Sequence, residues 1–297
     1  MTSVDICVAT YKRPAWLGQL LDDLAAQEMP VGSTLRVVVV DNDPERAAEP
    51  VARGFESTRV ALLYLTQPVK NIALTRNVAL DHCKAEWVAF VDDDERVPRS
   101  WICTLMACQQ RFDADVVFGP VEGQFPEGAP DWVRQGRFFA SPKQATGSLM
   151  PWGATNNALL RGSLVYSGAR FDARFGLTGG EDTHFFHGLA RAGKRLVWCS
   201  EAGVTERVPA NRTTLRWLLS RHFRGGQCFA DIVSRPPGGL ALAGWVLQRG
   251  AYALTAAALA VLSLPFNRGR AVRGAAKMAT NIGQLSTIFS RRFQEYR

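Results

Sequence analysis

Five apolar residues in unbroken succession, Trp87-Val88-Ala89-Phe90-Val91, run straight into four acids, Asp92-Asp93-Asp94-Glu95. A run that is apolar at every position and carries two valines reads as a β-strand covered on both faces. Three neighbouring carboxylates cannot continue such a strand, because unpaired buried charge is too costly. The pattern predicts an α/β sheet with Asp92, Asp93 and Asp94 just past the carboxyl end of one strand, in the crevice where open sheets bind ligands. Carboxylates gathered there repel one another unless something positive lies between them. A divalent cation with oxygen ligands, carrying a phosphate, suits the place. The plainer use of such acids is a turn or a helix cap near Ser100.

The preceding chain supports a parallel sheet. Residues 4–9 read as a strand, followed by the polar turn Thr10-Tyr11-Lys12-Arg13-Pro14 and a helix with Leu17, Leu20, Leu21 and Leu24 at helical spacing. A second strand over 35–40 ends in Asp41-Asn42-Asp43-Pro44, so strand, helix and strand form a βαβ unit. A strand over 60–65, a helix over 71–83, a helix over 101–112 and a strand over 116–118 continue the series. Residues 120–151 are rich in Gly, Pro and aromatics and read as a long irregular segment of the lid or binding-loop kind. Further strands are expected at 158–160 and 196–199, and helices over 181–192 and 215–232.

The 297 residues are 47% apolar, enough for one large domain and an appendage. Net charge is +8, unevenly spread: from Arg207 onward there are 14 Lys and Arg against two acids, which leaves −4 on residues 1–206. A basic appendage on a mildly acidic body points to a polyanionic partner: phosphate groups, an anionic membrane face or nucleic acid. The six cysteines lack metal-site spacing and sit among apolar residues, as reduced thiols of a cytosolic protein do. The chain enters its first strand with no charged-then-apolar leader, which argues against a secretory signal.

Three further groups carry candidate chemistry. Asp41 ends a strand on the same rim as Asp92, where it could accept hydrogen bonds from a base or ribose, or simply form a turn. Glu181-Asp182 follow Gly179-Gly180 at a helix start, where a carboxylate could act as general base or merely cap. Arg221, His222 and Arg224 share a helix with Arg216 and could clamp a diphosphate, or form a solvated basic face. His184 and His187 read as structural rather than as metal ligands.

Together these residues resemble an inverting family 2 glycosyltransferase of the nucleotide-sugar-binding A-type (GT-A) fold, over roughly residues 3–230. The resemblance rests on Thr10-Tyr11-Lys12-Arg13-Pro14, Val40-Asp41-Asn42, Arg76-Asn77, the Asp-x-Asp of Asp92 and Asp94, and Gly180-Glu181-Asp182. It implies a single Rossmann-like GT-A domain over 1–233 with a mostly parallel sheet. It also implies that Thr10, Arg13, Asp41 and Arg76 hold the nucleotide, that Asp92 touches the ribose with Asp93 in support, and that Asp94 holds Mg²⁺ or Mn²⁺. Asp182 becomes the catalytic base with Glu181 beside the acceptor, and Arg221 and Arg224 bind the diphosphate of a UDP-sugar, with a hexose such as glucose transferred. A Gln-x-x-Arg-Trp pattern of polymerising synthases is missing, which favours transfer of one sugar.

Residues 234–297 form the appendage. Residues 240–266 are apolar apart from Gln248 and Arg249, and 250–266 are 17 residues without a charge, at the short limit for spanning a bilayer. Arg268, Arg270, Arg273 and Lys277 follow, then a milder amphipathic stretch over 275–289 and Arg291-Arg292. The reading is a basic helical membrane-associating extension that lies in or dips into the cytoplasmic leaflet of the inner membrane, arginines on anionic headgroups. A single span and an ordinary packing pair are the other readings. This layout is similar to that of bacterial exopolysaccharide transferases of the succinoglycan type, and it implies a lipid-linked saccharide acceptor. A nucleotidyltransferase and a non-catalytic basic membrane- or nucleic-acid-binding module are the alternatives. The acidic body disfavours nucleic acid as a partner.

Overall fold

A computed structural model describes residues 2–29 and 31–289. The chain forms β1 (Ser3–Thr10), α1 (Pro14–Ala25), β2 (Thr34–Asp41), α2 (Glu49–Arg53), β3 (Val60–Thr66), α3 (Ile72–His82), β4 (Trp87–Val91) and β5 (Glu95–Arg96). It continues through α4 (Trp101–Phe112), β6 (Val116–Phe118), β7 (Val121–Gln124), α5 (Asp131–Gly136), β8 (Asn157–Arg161), α6 (Gly162–Tyr166) and α7 (Glu181–Arg191). The last elements are β9 (Leu196–Trp198), β10 (Val204–Arg207), α8 (Leu215–Ile232), α9 (Ala241–Ser263) and α10 (Arg268–Ser286).

The main sheet has the order β3-β2-β1-β4-β8-β6-β9, and all its pairs are parallel except those made by β8. Leu17, Leu20, Leu21 and Leu24 of α1 and Trp101, Ile102 and Leu105 of α4 seal one face. Ala79 and Leu80 of α3, Leu164 of α6, and Phe185 and Phe186 of α7 seal the other. This double cover is why β4 is apolar and buried at every position. Pro14 occupies the first turn of α1, and Asn71 caps α3 by accepting from the Leu74 amide at 3.0 Å. Ser100 precedes α4 without making a side-chain cap bond.

A second, three-stranded sheet, β5-β10-β7, was not anticipated. Its strands are two to four residues long and polar at several positions, so no period of two stands out. The segment expected to be irregular holds β7 and α5. Its aromatics close on α8: Phe139 stacks on Trp217 with centroids 5.7 Å apart, and Val133 and Val208 are buried beneath.

The C-terminal helices are joined to this body through α10, which packs on α8, α9 and α5. Gly226 of α8 meets the Thr280 carbonyl, Gly283 of α10 meets the Phe223 carbonyl, and Gly274 meets Ala256 and Ala260 of α9. A Cβ at any of these glycines would collide with its neighbour. Beyond its small-residue face, α9 is turned outward: Leu247, Leu254, Leu259 and Leu262 are exposed, as is Phe266 just after it. It is long and apolar enough to cross a membrane by length and composition, and almost none of its apolar stretch is buried. Arg291-Arg292 lie outside the described residues.

Asn157 ties the two sheets together. Its Oδ1 accepts from the Trp101 indole at 2.9 Å, and its Nδ2 donates to the carbonyls of Ala202 (2.7 Å) and Pro120 (3.1 Å). Asn157→Leu keeps the branched shape but strands the buried indole N–H and the Ala202 carbonyl, while the Pro120 carbonyl retains the Val204 amide at 3.0 Å. Urea denaturation should show a loss of about 3 kcal/mol.

Candidate active site

The carboxyl ends of β1, β2 and β4 open on a cavity of about 700 Å³. The register brings them level, with Thr10 opposite Asp41 and Cys7 opposite Phe90. The acids after β4 do not stand in an open row. Only Asp92 is substantially accessible, with 38% of its side chain exposed and Arg76 at 3.5 Å. Asp93 and Asp94 are buried, and their negative charge is met from other segments. Thr10 Oγ1 donates to Asp93 at 2.8 Å, and Arg13 Nη1 reaches both Asp93 and Asp94 at 2.8 Å. Arg212 approaches Asp94 at 3.7 Å.

Burial still outweighs these partners. It lifts the Asp93 carboxyl to about 6, and together with the charge on Asp92 it raises Asp94. Glu95 is buried completely, and burial pushes its carboxyl well above the usual range. One of its oxygens accepts from the Asp92 amide at 2.8 Å, closing the turn. β10 pairs with β5 so that Glu206 lies opposite Glu95. Burial, with Asp94 close by, raises the Glu206 carboxyl as well.

The second acid pair enters from the far side. Gly179 and Gly180 have φ of +78° and +94°, left-handed values that favour glycine and let α7 begin directly at Glu181. Arg76 Nη1 donates to one oxygen of Glu181, while the other oxygen is buried without a partner. Asp182 accepts from the Thr183 amide at 2.6 Å through Oδ1. Burial raises the carboxyls of both, that of Glu181 to about 7. Arg76 therefore stands between Asp92 and Glu181, bridging acids that are far apart in sequence.

Thr10, Arg13, Arg76, Asp92, Asp93, Asp94, Glu181, Asp182, Arg221 and Arg224 all line the one cavity. Two expected residues do not. Asp41 is fully buried, and its oxygens accept from the amides of Asp43 and Ala48 and from the Tyr64 hydroxyl, so it shapes the loop behind the cavity. Arg216 is exposed on α8, away from the cavity. Arg13, expected at the nucleotide, has its guanidinium in the acid row. Tyr11 lines the same cavity, with Lys70 Nζ 5.8 Å from its ring, and Asn42 lines it too.

Glu206, Arg212, Trp152 and Thr280 also line the cavity and escaped sequence reasoning. Glu206 and Arg212 come from the unforeseen sheet and the loop after it. Trp152 meets Phe229 edge-on at 5.6 Å. His187 binds the Pro151 carbonyl at 3.1 Å, and neither His187 nor His184 lines this cavity. Among the described residues no group of three His, Cys, Asp or Glu is placed to hold a metal by itself.

Comparison with known proteins agrees with this geometry. The sequence pattern described as glycosyl transferase family 2 matches residues 5–171. The succinoglycan biosynthesis protein ExoM of Rhizobium meliloti (strain 1021) is 38% identical over 290 residues, 96% of this chain and 92% of that protein. The crystal structure of Staphylococcus aureus TarS 1-349 in complex with UDP superposes with a TM-score of 0.55 at 16% identity, covering 98% of this chain and 92% of that one. The mannosyltransferase PcManGT from Pyrobaculum calidifontis, in complex with GDP-Man and Mn²⁺, superposes with a TM-score of 0.59 at 20% identity, covering 95% and 86%. These two likenesses establish the GT-A fold.

The raised carboxyl of Glu181 has a measurable consequence. Between its ordinary 4.5 and about 7 the folded protein holds a proton there that the unfolded chain has lost. Stability must then fall as pH rises through that window. Glu181→Gln lacks this dependence. Its melting temperature relative to wild type should increase from pH 4.5 to 7 and level off above. A constant difference would show that Glu181 ionises normally.

Proposed function

Since this chain belongs to glycosyl transferase family 2, we propose that it moves one sugar, with inversion, from a UDP-sugar to a lipid-linked saccharide in exopolysaccharide assembly. The observation that carries the reading is the convergence of Asp92, Asp94 and Asp182 on a single cavity with cationic side chains. The UDP preference draws on the UDP complex of TarS, and the pathway on the name of the ExoM relative. Glucose is the hexose favoured as donor.

The donor's uracil packs at the Tyr11, Asn42 and Lys70 end, with Thr10 beside it. Asp92 meets the ribose. The diphosphate lies toward Arg221 and Arg224, which stabilise the charge that develops as the sugar departs. Asp182 takes the proton of the acceptor hydroxyl, and that oxygen attacks the anomeric carbon opposite the leaving UDP. A new C–O bond forms as the bond to the diphosphate breaks, and the configuration inverts. No second, nucleophilic carboxylate is needed.

A divalent ion suits this donor set. Asp92 and Asp94 offer only oxygens, the preference of Mg²⁺ and Mn²⁺. Six carboxylates and six Lys or Arg side chains line the cavity. The cations only match the carboxylates in number, so a diphosphate entering the cavity calls for further positive charge. When bound, the ion supplies Lewis-acid stabilisation of the leaving diphosphate. Asp94, with Asp92, would hold it, and phosphate oxygens would complete its shell.

The outward apolar face of α9 and the exposed Arg268, Arg270, Arg273 and Lys277 of α10 support a peripheral position on the cytoplasmic face of the inner membrane.

A panel of nucleotide sugars with Mg²⁺ or Mn²⁺ tests the reaction. A UDP-sugar should bind best, and Asp94→Ala should lose the metal-dependent part of that binding. Asp182→Asn should keep donor affinity while transfer falls by a factor of about 10³. Metal-independent binding equal in wild type and Asp94→Ala, or transfer retained by Asp182→Asn, would sink the assignment. For the membrane, Leu254→Asp with Leu262→Asp should release the protein from anionic vesicles in a flotation assay and leave UDP binding intact.

A further inference from the structure

Where α8 gives way to α9, a second cavity of about 490 Å³ adjoins the first. The two share Arg224 and Cys228 as a common wall. Cys228 Sγ donates to the Gly179 carbonyl at 3.2 Å, just ahead of Glu181 and Asp182. Arg174, Arg235 and His184 line this second cavity, and Asp231 is the carboxylate on its wall. Arg174 is paired with Asp172, and Arg235 Nε donates to the Asp231 carbonyl at 2.8 Å. His184 Nδ1 is buried without a hydrogen-bond partner, and burial holds the ring's pKa below its ordinary value.

The adjoining helix, beyond the cavity lining, carries two buried donors of its own. Arg249 is the sole charge within α9, in a run that is otherwise apolar or small apart from Gln248, Tyr252, Thr255 and Ser263. Its side chain turns back to the end of α8. Nη2 donates to Ser234 at 3.2 Å, and the guanidinium lies 5.6 Å from the Trp245 ring. Arg249 Nε and Trp245 Nε1 are both buried and have no acceptor. One end of this region thus abuts the wall behind the proposed base, and the other abuts the exposed apolar helix.

We infer that the second cavity binds the phosphate or diphosphate head of the lipid that carries the acceptor saccharide, with the lipid's hydrocarbon lying along α9. Guanidinium groups are the natural partners of such a head. A head held at Arg174 and Arg235 leaves its saccharide on the side of the shared wall, toward Asp182. The inference rests on the proposed transfer to a lipid-linked acceptor and names the surface that would receive it.

The test uses the full-length protein saturated with UDP, so that the main cavity is filled. Farnesyl diphosphate, inorganic pyrophosphate and phosphatidylcholine vesicles containing phosphatidylglycerol serve as separate probes. Arg174→Gln with Arg235→Gln should weaken farnesyl diphosphate binding at least about tenfold. UDP affinity and vesicle binding should change less than about twofold, the scale of lost rim charges. Arg249→Gln should weaken farnesyl diphosphate in the same direction. Undiminished farnesyl diphosphate affinity in the double variant overturns the site. A parallel loss of vesicle binding overturns it too, by reducing the arginines to a general anionic-membrane patch. Pyrophosphate binding as tightly as farnesyl diphosphate removes the lipid from the proposal. If wild type turns over a UDP-sugar but ignores farnesyl diphosphate, this site fails and the transferase reading survives. Absence of any UDP-sugar turnover strikes that reading instead.

Discussion

Too much negative charge in too little water is the condition that the rest of this structure answers. Asp93, Asp94 and Glu95 are buried side by side beyond β4, and Asp92 shares their turn. Lone carboxylates so placed would each cost several kcal/mol or take up a proton. Arg13 meets two of them from the turn after β1, Arg212 comes from the segment before α8, and Arg76 reaches Asp92 from α3. The site is therefore not an ornament on one strand. It closes only when three distant parts of the chain are folded together, and Arg76 extends the same network to Glu181.

That requirement reaches the C-terminal helices. Arg221 and Arg224 stand on α8, and α8 is held by α10 through contacts that only glycine allows at Gly226 and Gly283. Thr280 of α10 lines the cavity and lies 3.3 Å from His222. Phe138, which also lines the cavity, follows α5, and Arg273 of α10 donates to the Gln135 carbonyl of α5 at 3.1 Å. Helices that resemble an appendage by composition thus help to complete the wall opposite the acid row.

Legibility followed physical strength. Strands buried on both faces, helices with a leucine stripe, and acids abutting an apolar run could be read directly, because each violates what a solvated loop would tolerate. The residues at the cavity were mostly visible for the same reason. Asp41 was ambiguous because an acid at a strand end serves a turn and a ligand equally well, and in the structure three donors of the neighbouring loop and β3 occupy its oxygens. Arg13 was placed at the nucleotide by resemblance, whereas Asp93 and Asp94 claim its guanidinium. Glu206 and Arg212 were invisible: their strand and loop have no period, and their importance comes wholly from the pairing of β10 with β5. Gly226 and Gly283 carry no signal of their own in the sequence, because what they admit is set by the partner helix.

The orientation of α9 follows from its single charge. A helix crossing the hydrocarbon with an arginine near its middle would bear a cost of about 3 kcal/mol on insertion scales. Here Arg249 is instead covered by Trp245 and Tyr252 and tied to Ser234, so protein rather than lipid surrounds it. The small residues Ala253 and Ala256 share the protein-facing side, and Leu247, Leu254 and Leu262 take the other. Burying each of those leucines in lipid is worth about 2 kcal/mol. One face committed to α10 and one face left apolar fit the proposed position in the membrane surface. A span would have to pull Arg249 away from its partners or carry α10 and its exposed arginines into the bilayer.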